Sequence, residues 1–142
     1  MGLNNLADIF KEEYYSSMEG GILEAFGILF KDNVKIYAYP IELENFERYR
    51  KQIGIGDNVE VKTGEDGLVT IENLLVAKNL RNLYKYIREN GFLETIIECD
   101  RQNMKLFSRD VFEQVQSRKE GWKECLPDCA AEMIEKKELW KS

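Results

Sequence analysis

Two of the chain's three cysteines, Cys125 and Cys129, flank Pro127 in "WKECLPDCAAEMI". Thiols four residues apart can ligate a metal or form a redox pair, and a helix N-terminus beside them would lower their pKa. Structural thiolate sites, however, typically use two C-x₂₋₄-C pairs. The remaining cysteine, Cys99, stands alone. A free cysteine is also one of the most frequently buried residue types and packs as a small hydrophobe. The pair therefore reads as packing at the start of a last helix. Pro127 falls in its first turn, Trp122 over the junction, and Met133 and Ile134 inward, with the helix running to Leu139–Trp140. No metal ligands and no cofactor site are assigned.

Other candidate chemistry is sparse. "GIGD" at 54–57 has Val59 where a dinucleotide fingerprint needs its third glycine. "GEDG" at 64–67 lacks the Lys and Ser/Thr of a phosphate loop, so both read as turns. Tyr37 and Tyr39 alternate along one strand face, and Tyr86 lies off the apolar stripe of a helix that buries Tyr84. With Arg81 and Arg88 nearby, these aromatics form a candidate binding surface. Ser108 and Arg109 open a later helix, where backbone N–H groups can hold an anion. Glu42, Glu44, Glu47, Glu94, Glu98 and Asp100 read as solvated faces. No catalytic residue is assigned.

The most informative absence is histidine. Ser-His-Asp and Cys-His nucleophilic systems, the commonest zinc ligand sets and the side chain best matched to proton transfer near neutrality all go with it. Chemistry by Asp, Glu, Lys, Tyr or Cys stays open. A net charge of −6 disfavours nucleic acid and anionic membranes. No apolar run approaches the roughly 18 residues that span a bilayer, and "MGLNNLADIFKEEYY" reads as neither a secretion signal nor, with Leu6 where Ser or Thr belongs, a lipidation motif. Few, odd-numbered cysteines suit a reducing cytoplasm.

The elements that must position these residues follow from periodicity. Residues 3–15 read as a helix with Leu3, Leu6, Ile9 and Phe10 on one face, and the apolar run 22–30 as a buried helix, with a strand as the alternative. "KDN" at 31–33 is a turn, "VKIYAYP" at 34–40 a strand stopped by Pro40, and 41–53 a charged helix. Val59–Lys62 and Leu68–Ile71 read as two strands of a hairpin. Leu80, Leu83, Tyr84 and Ile87 mark the clearest helix, closed by Gly91. "FLETIIEC" at 92–99 reads as a strand, and Ser108 as the cap of a helix through Val111, Phe112 and Val115. The expectation is one α+β domain over 1–142, dominated by helices, with a small, mainly antiparallel sheet.

The stretch "LFSRDVFEQVQSRKEGWKECLPDCAAEMIEKKELW", from Leu106 on, resembles the C-terminal end of nicotinate mononucleotide adenylyltransferases. Ser108 stands at the helix start, Leu126-Pro127 at a Val-Pro, Ile134 at an isoleucine of the last helix, and Leu139-Trp140 at its Leu-Tyr ending. With "GILEAFGILF", "VKIYAYP", "NLRNLYKYIRENGF" and "LFSRDVF", the chain is similar to small bacterial proteins that sometimes carry that enzyme's name. The departures are specific. The family's HxGH-type ATP motif has no counterpart in a chain without histidine. Its phosphate-contacting arginine falls at Phe112, with Arg109 in a different register, and the chain is short for the full doubly wound fold. The resemblance therefore implies no adenylyl transfer. The expectation is a non-catalytic cytoplasmic interaction or assembly subunit that works with a protein partner or as a homo-oligomer, without nucleic acid or membrane. The alternative is a small-molecule or nucleotide-binding protein, or an enzyme independent of histidine, with its site near the 54–67 loop and Ser108–Arg109.

Overall fold

The computed structural model describes residues 1–62, 64 and 66–139. Thr63, Glu65 within "GEDG", and the expected Trp140 end of the last helix lie outside the described residues. Helices dominate an α+β chain whose strands are short and form three two-stranded pairs. The chain forms two compact units, 1–99 and 100–142.

In the first unit, helix α1 (Leu3–Ile9) buries Leu3, Leu6 and Ala7. Phe10 follows them into the core, so the predicted face is right, but the helix breaks into a 3-10 turn at Glu12–Tyr15. Helix α2 (Gly21–Leu29) starts where Gly21 takes φ +56°. Glu24 Oε2 accepts a hydrogen bond from the Gly20 N–H at 2.9 Å, a side chain reaching back to satisfy an orphan donor of the first turn. The 31–33 turn follows, with Asp32 and Asn33 both at positive φ.

Strand β1 (Ile36–Ala38) pairs in parallel with a strand far along the chain, Leu93–Thr95. Met1 and Leu3 bond the backbone of Tyr39. Strand β2 (Ile41–Glu42) leads directly into α3 (Leu43–Ile53), which buries Phe46 and Tyr49 and ends at Gly54 in the left-handed region. Strands β3 (Glu60–Val61), β4 (Leu68–Val69) and β5 (Leu74–Leu75) come next. Here the expected hairpin is corrected. β3 pairs antiparallel with β5, while β4 pairs antiparallel with β2. The physical reason is burial: these pairings put Val69 at 0% and Leu74 at 1% exposure, whereas local pairing across the glycine turn leaves Leu74 without a strand. Leu74–Leu75 has no expected strand in the sequence, because two leucines fit either period. That helix, α4 (Arg81–Glu89), buries Tyr84 and Ile87. Gly91 follows it at φ +69°, and β6 (Leu93–Thr95) completes the parallel pair.

The second unit holds α5 (Ser108–Gln116) and α6 (Asp128–Lys136), with a 3-10 turn at Trp122–Cys125 between them. Its core cluster is Val111, Val115 and Ile134, packed by Trp122, Cys125 and Leu126. Two details differ from expectation. Ser108 does not cap α5; Phe107 holds that position and no side chain bonds the free amides. Met133 is 52% exposed, because helical geometry turns it about 100° from the buried Ile134. Pro127 sits just ahead of α6, where its missing N–H costs nothing.

Candidate functional site

The glycine-rich segment after α3 is the first place to look for a ligand loop, and its backbone groups at Gly54, Gly56 and Val59 are already engaged, while Asn58 Oδ1 is buried without a hydrogen-bond partner among the described residues. The Gly56 N–H donates to Asp8 Oδ1 at 3.1 Å. Lys11 Nζ donates to the Gly54 carbonyl at 3.0 Å and pairs with Asp8 and Asp57 at 3.0 and 2.9 Å. Arg50 donates from Nε to the Gly56 carbonyl (3.1 Å) and from Nη2 to that of Val59 (2.6 Å). Asn58 Nδ2 donates to the Ala7 carbonyl. Burial pulls the Lys11 pKa down, but the carboxylates of Asp57 and Asp8 outweigh it and hold Lys11 above the ordinary lysine range. Lys11 in turn holds Asp57 below the ordinary carboxylate range. The loop is a clasp joining α1 to α3, and the anion on its glycine amide is the protein's own Asp8.

The aromatic candidates divide. Tyr37 is 49% exposed, on the side of β1 opposite the buried Ala38. Tyr39 is half-buried, and its backbone N–H and C=O bond Met1 and Leu3. Tyr86 is 59% exposed, as its place off the apolar stripe predicts. Its ring stacks on Phe92 at 6.5 Å; among the described residues no ring contact joins it to Tyr37 or Tyr39. Arg81 is exposed at the start of α4. Arg88 lays its guanidinium over the Tyr84 ring at 5.6 Å, a packing use. Tyr84 is buried and donates to the Ile71 carbonyl at 2.7 Å, and burial drives its pKa well above the ordinary tyrosine range.

Ser108 and Arg109 belong to the second unit, and both are exposed. Arg109 Nε lies 3.9 Å from Glu113 Oε1, the outer limit of an ion pair. Both residues line an apolar groove of about 640 Å³. Cys125 is half-buried against the core cluster and Cys129 is exposed. The packing reading therefore describes Cys125 and not Cys129, which faces solvent from the first turn of α6. Among the described residues no group of three or more Cys, Asp or Glu is placed to hold a metal ion, and no helix is long and apolar enough to cross a membrane.

The feature that sequence reasoning misjudged is α2. Its nine residues, "GILEAFGIL", include one charged side chain, Glu24, which is why it reads as a fully buried helix. Only Ile22 and Phe26 are buried. Leu23 is 66% and Ile28 52% exposed. They lie on opposite flanks of the buried stripe, since five residues turn an α-helix through about 140°. On the Ile28 flank an apolar groove of about 430 Å³ is lined by Ile9, Tyr15 and Met18 together with Ala25, Phe26, Ile28 and Leu29 of α2. The stripe itself is anchored by a run of rings. Phe26 meets Phe10 at 5.1 Å and Phe30 at 5.9 Å, Phe30 meets Phe92 at 5.3 Å, and Phe92 reaches the exposed Tyr86. Such pairs contribute about 0.5–1.5 kcal/mol each beyond their burial, so α2 is held firmly while Leu23 and Ile28 face solvent. The signal that finds it is a mismatch in order: a helix of nine residues with one charged side chain, in a small unit, cannot bury every face.

No family model matches the chain, and neither does any curated protein or solved structure.

Proposed function

We propose that the chain is a non-catalytic cytoplasmic interaction or assembly subunit, and that α2 presents the surface it uses on a protein partner or a second copy. The observation that carries this reading is the exposure of Leu23 and Ile28 on a helix with one charged residue. Apolar surface that water wets on both flanks of the helix costs roughly 25 cal/mol per Å² relative to burial, and on the Ile28 side it continues into an apolar groove, the kind of exposed patch that marks interaction sites. The rigid aromatic footing favours such a role, because a preorganised surface loses little entropy on association.

Two further observations support the same reading over a nucleotide site. In the glycine loop at 54–58 the Gly56 N–H already donates to Asp8, and the Gly54 and Gly56 carbonyls already accept from Lys11 and Arg50, and no histidine serves acid–base or nucleophilic chemistry. The net charge of −6 works against nucleic-acid partners. The likeness to adenylyltransferase tails carries no activity into this proposal, since Phe112 stands where the phosphate-contacting arginine falls.

The experiment is light scattering after size exclusion, joined to affinity capture with the full chain as bait. Wild type self-associates or retains a stoichiometric partner, and the double variant Leu23→Glu/Ile28→Glu, folded by circular dichroism, does neither. A strict monomer that retains nothing overturns the proposal.

A further inference from the structure

The groove of the second unit has the build of a small-molecule site, and nothing in the interaction reading uses it. Its volume, about 640 Å³, lies within the roughly 300–1,000 Å³ of sites that enclose small ligands. Leu106, Phe107, Phe112, Leu126 and Ala130 supply apolar wall, and among the described residues Arg109 is the one charged side chain on the lining. Among the described residues Arg109 has one ion-pair contact, the long one to Glu113, with both side chains more than half exposed, so its guanidinium is open to a better acceptor. In a chain of net charge −6, a groove whose sole charge is positive selects by charge as well as by shape.

The unit around it is thinly cored. Val111, Val115 and Ile134 make its buried cluster, each keeping 8–9% exposure, and among the described residues Met104 and Ala131 are its only other buried apolar side chains. Leu106 and Phe112 on the groove wall are 42% and 37% exposed. A segment this short buries too little apolar surface to be more than marginally stable by itself. An apolar body laid in the groove covers Leu106 and Phe112 and thickens that core, while an anionic head takes charge-assisted hydrogen bonds from Arg109.

We infer that this groove binds a small amphiphile with one anionic head and an apolar body, of the class of medium-chain carboxylates. The groove excludes cationic heads through Arg109 and gives an uncharged head no strong partner. The inference does not depend on the role of α2, which lies in the other unit.

The test is calorimetric titration of the full chain with decanoate, decanol and decyltrimethylammonium, each below its self-association limit, alongside thermal unfolding. Decanoate binds saturably, raises the unfolding temperature and binds tightest of the three. Arg109→Gln weakens decanoate about tenfold, the size of one charge-assisted contact, and leaves decanol unchanged. Ala130→Leu, which fills the groove, and Leu106→Gln, at an exposed position that folding tolerates, weaken both. No saturable binding of decanoate overturns the inference, and so does equal affinity for the three heads. Self-association of wild type that Ala130→Leu abolishes also overturns it, by assigning the groove to a second copy.

Discussion

Gly56→Ala should cost far more stability than Gly54→Ala, although the two glycines are neighbours in one loop with similar backbone angles, φ +77° and +69°. Either substitution forces an L-residue into the left-handed region, at roughly 1–2 kcal/mol. The surroundings then separate them. A Cβ at position 54 meets only Asp57 Oδ2, at 3.8 Å, whereas a Cβ at 56 falls 2.8 Å from Phe46 Cζ and 3.4 Å from Cε2. Phe46 is 0% exposed, so its ring has nowhere to go, and overpacking of this kind costs about 1–3 kcal/mol more. The totals are about 2–5 kcal/mol for Gly56→Ala and about 1–2 kcal/mol for Gly54→Ala. With a urea m-value of ~2 kcal/mol/M, the midpoint falls by about 1–2.5 M in the first case and about 0.5–1 M in the second, with m unchanged. In a Phe46→Leu background the excess at 56 shrinks. Equal midpoints for the two variants would refute the reasoning, and a Gly56→Ala protein as stable as wild type would return the 54–58 segment to the class of adaptable ligand loops.

Four further outcomes are open to measurement. Phe26→Ala removes the ring that joins Phe10, Tyr15 and Phe30 and should cost about 3–5 kcal/mol in denaturant unfolding. Tyr84→Phe removes the bond to the Ile71 carbonyl and should cost about 1–2 kcal/mol by leaving a buried acceptor unpaired. Asp57 is held below its ordinary value of 3.8, so its contribution is complete above that value and disappears as pH falls through the depressed one; Asp57→Asn should lower the midpoint near pH 7, modestly for so exposed a carboxylate, and flatten the acid limb so that the two proteins converge at low pH. Lys11, raised above its ordinary 10.5, contributes below that value and is lost only as pH climbs through the raised one, so Lys11→Met should lower the midpoint across the neutral range, where a steeper alkaline limb in wild type than in the variant checks the sign.

Much of the first unit was legible in the sequence because its periods are unambiguous. Leu80, Tyr84 and Ile87 repeat at helical spacing and are all buried. The alternation at Tyr37 and Ala38 predicted one exposed and one buried side chain, as found. What was not legible depends on partners distant in the chain. Leu74–Leu75 gains its strand identity only from Glu60–Val61, and Leu68–Val69 from Ile41–Glu42; two-residue strands carry no period of their own. For the candidate surfaces, the sequence placed Tyr86 outside and Tyr84 inside correctly, since one helix decides both. It misplaced Met133 by one helical step. It took α2 as core because apolar content alone says that a face prefers burial, not that the fold supplies enough covering residues. The clasp at Lys11, Arg50 and Gly56 was equally hidden, because its donors and acceptors lie up to 48 positions apart.

The central claim, that α2 is an interaction surface, is tested most directly at Leu23 and Ile28. Light scattering and affinity capture should be run side by side on wild type and on Leu23→Glu/Ile28→Glu, with unfolding midpoints to show that both proteins are folded. The account predicts that wild type forms a defined complex, with itself or with a stoichiometric partner, and that the variant loses it while keeping its midpoint within about 0.5 kcal/mol, as exposed positions allow. A wild-type protein that stays monomeric and captures nothing, or a folded variant that keeps the same complex, would contradict it.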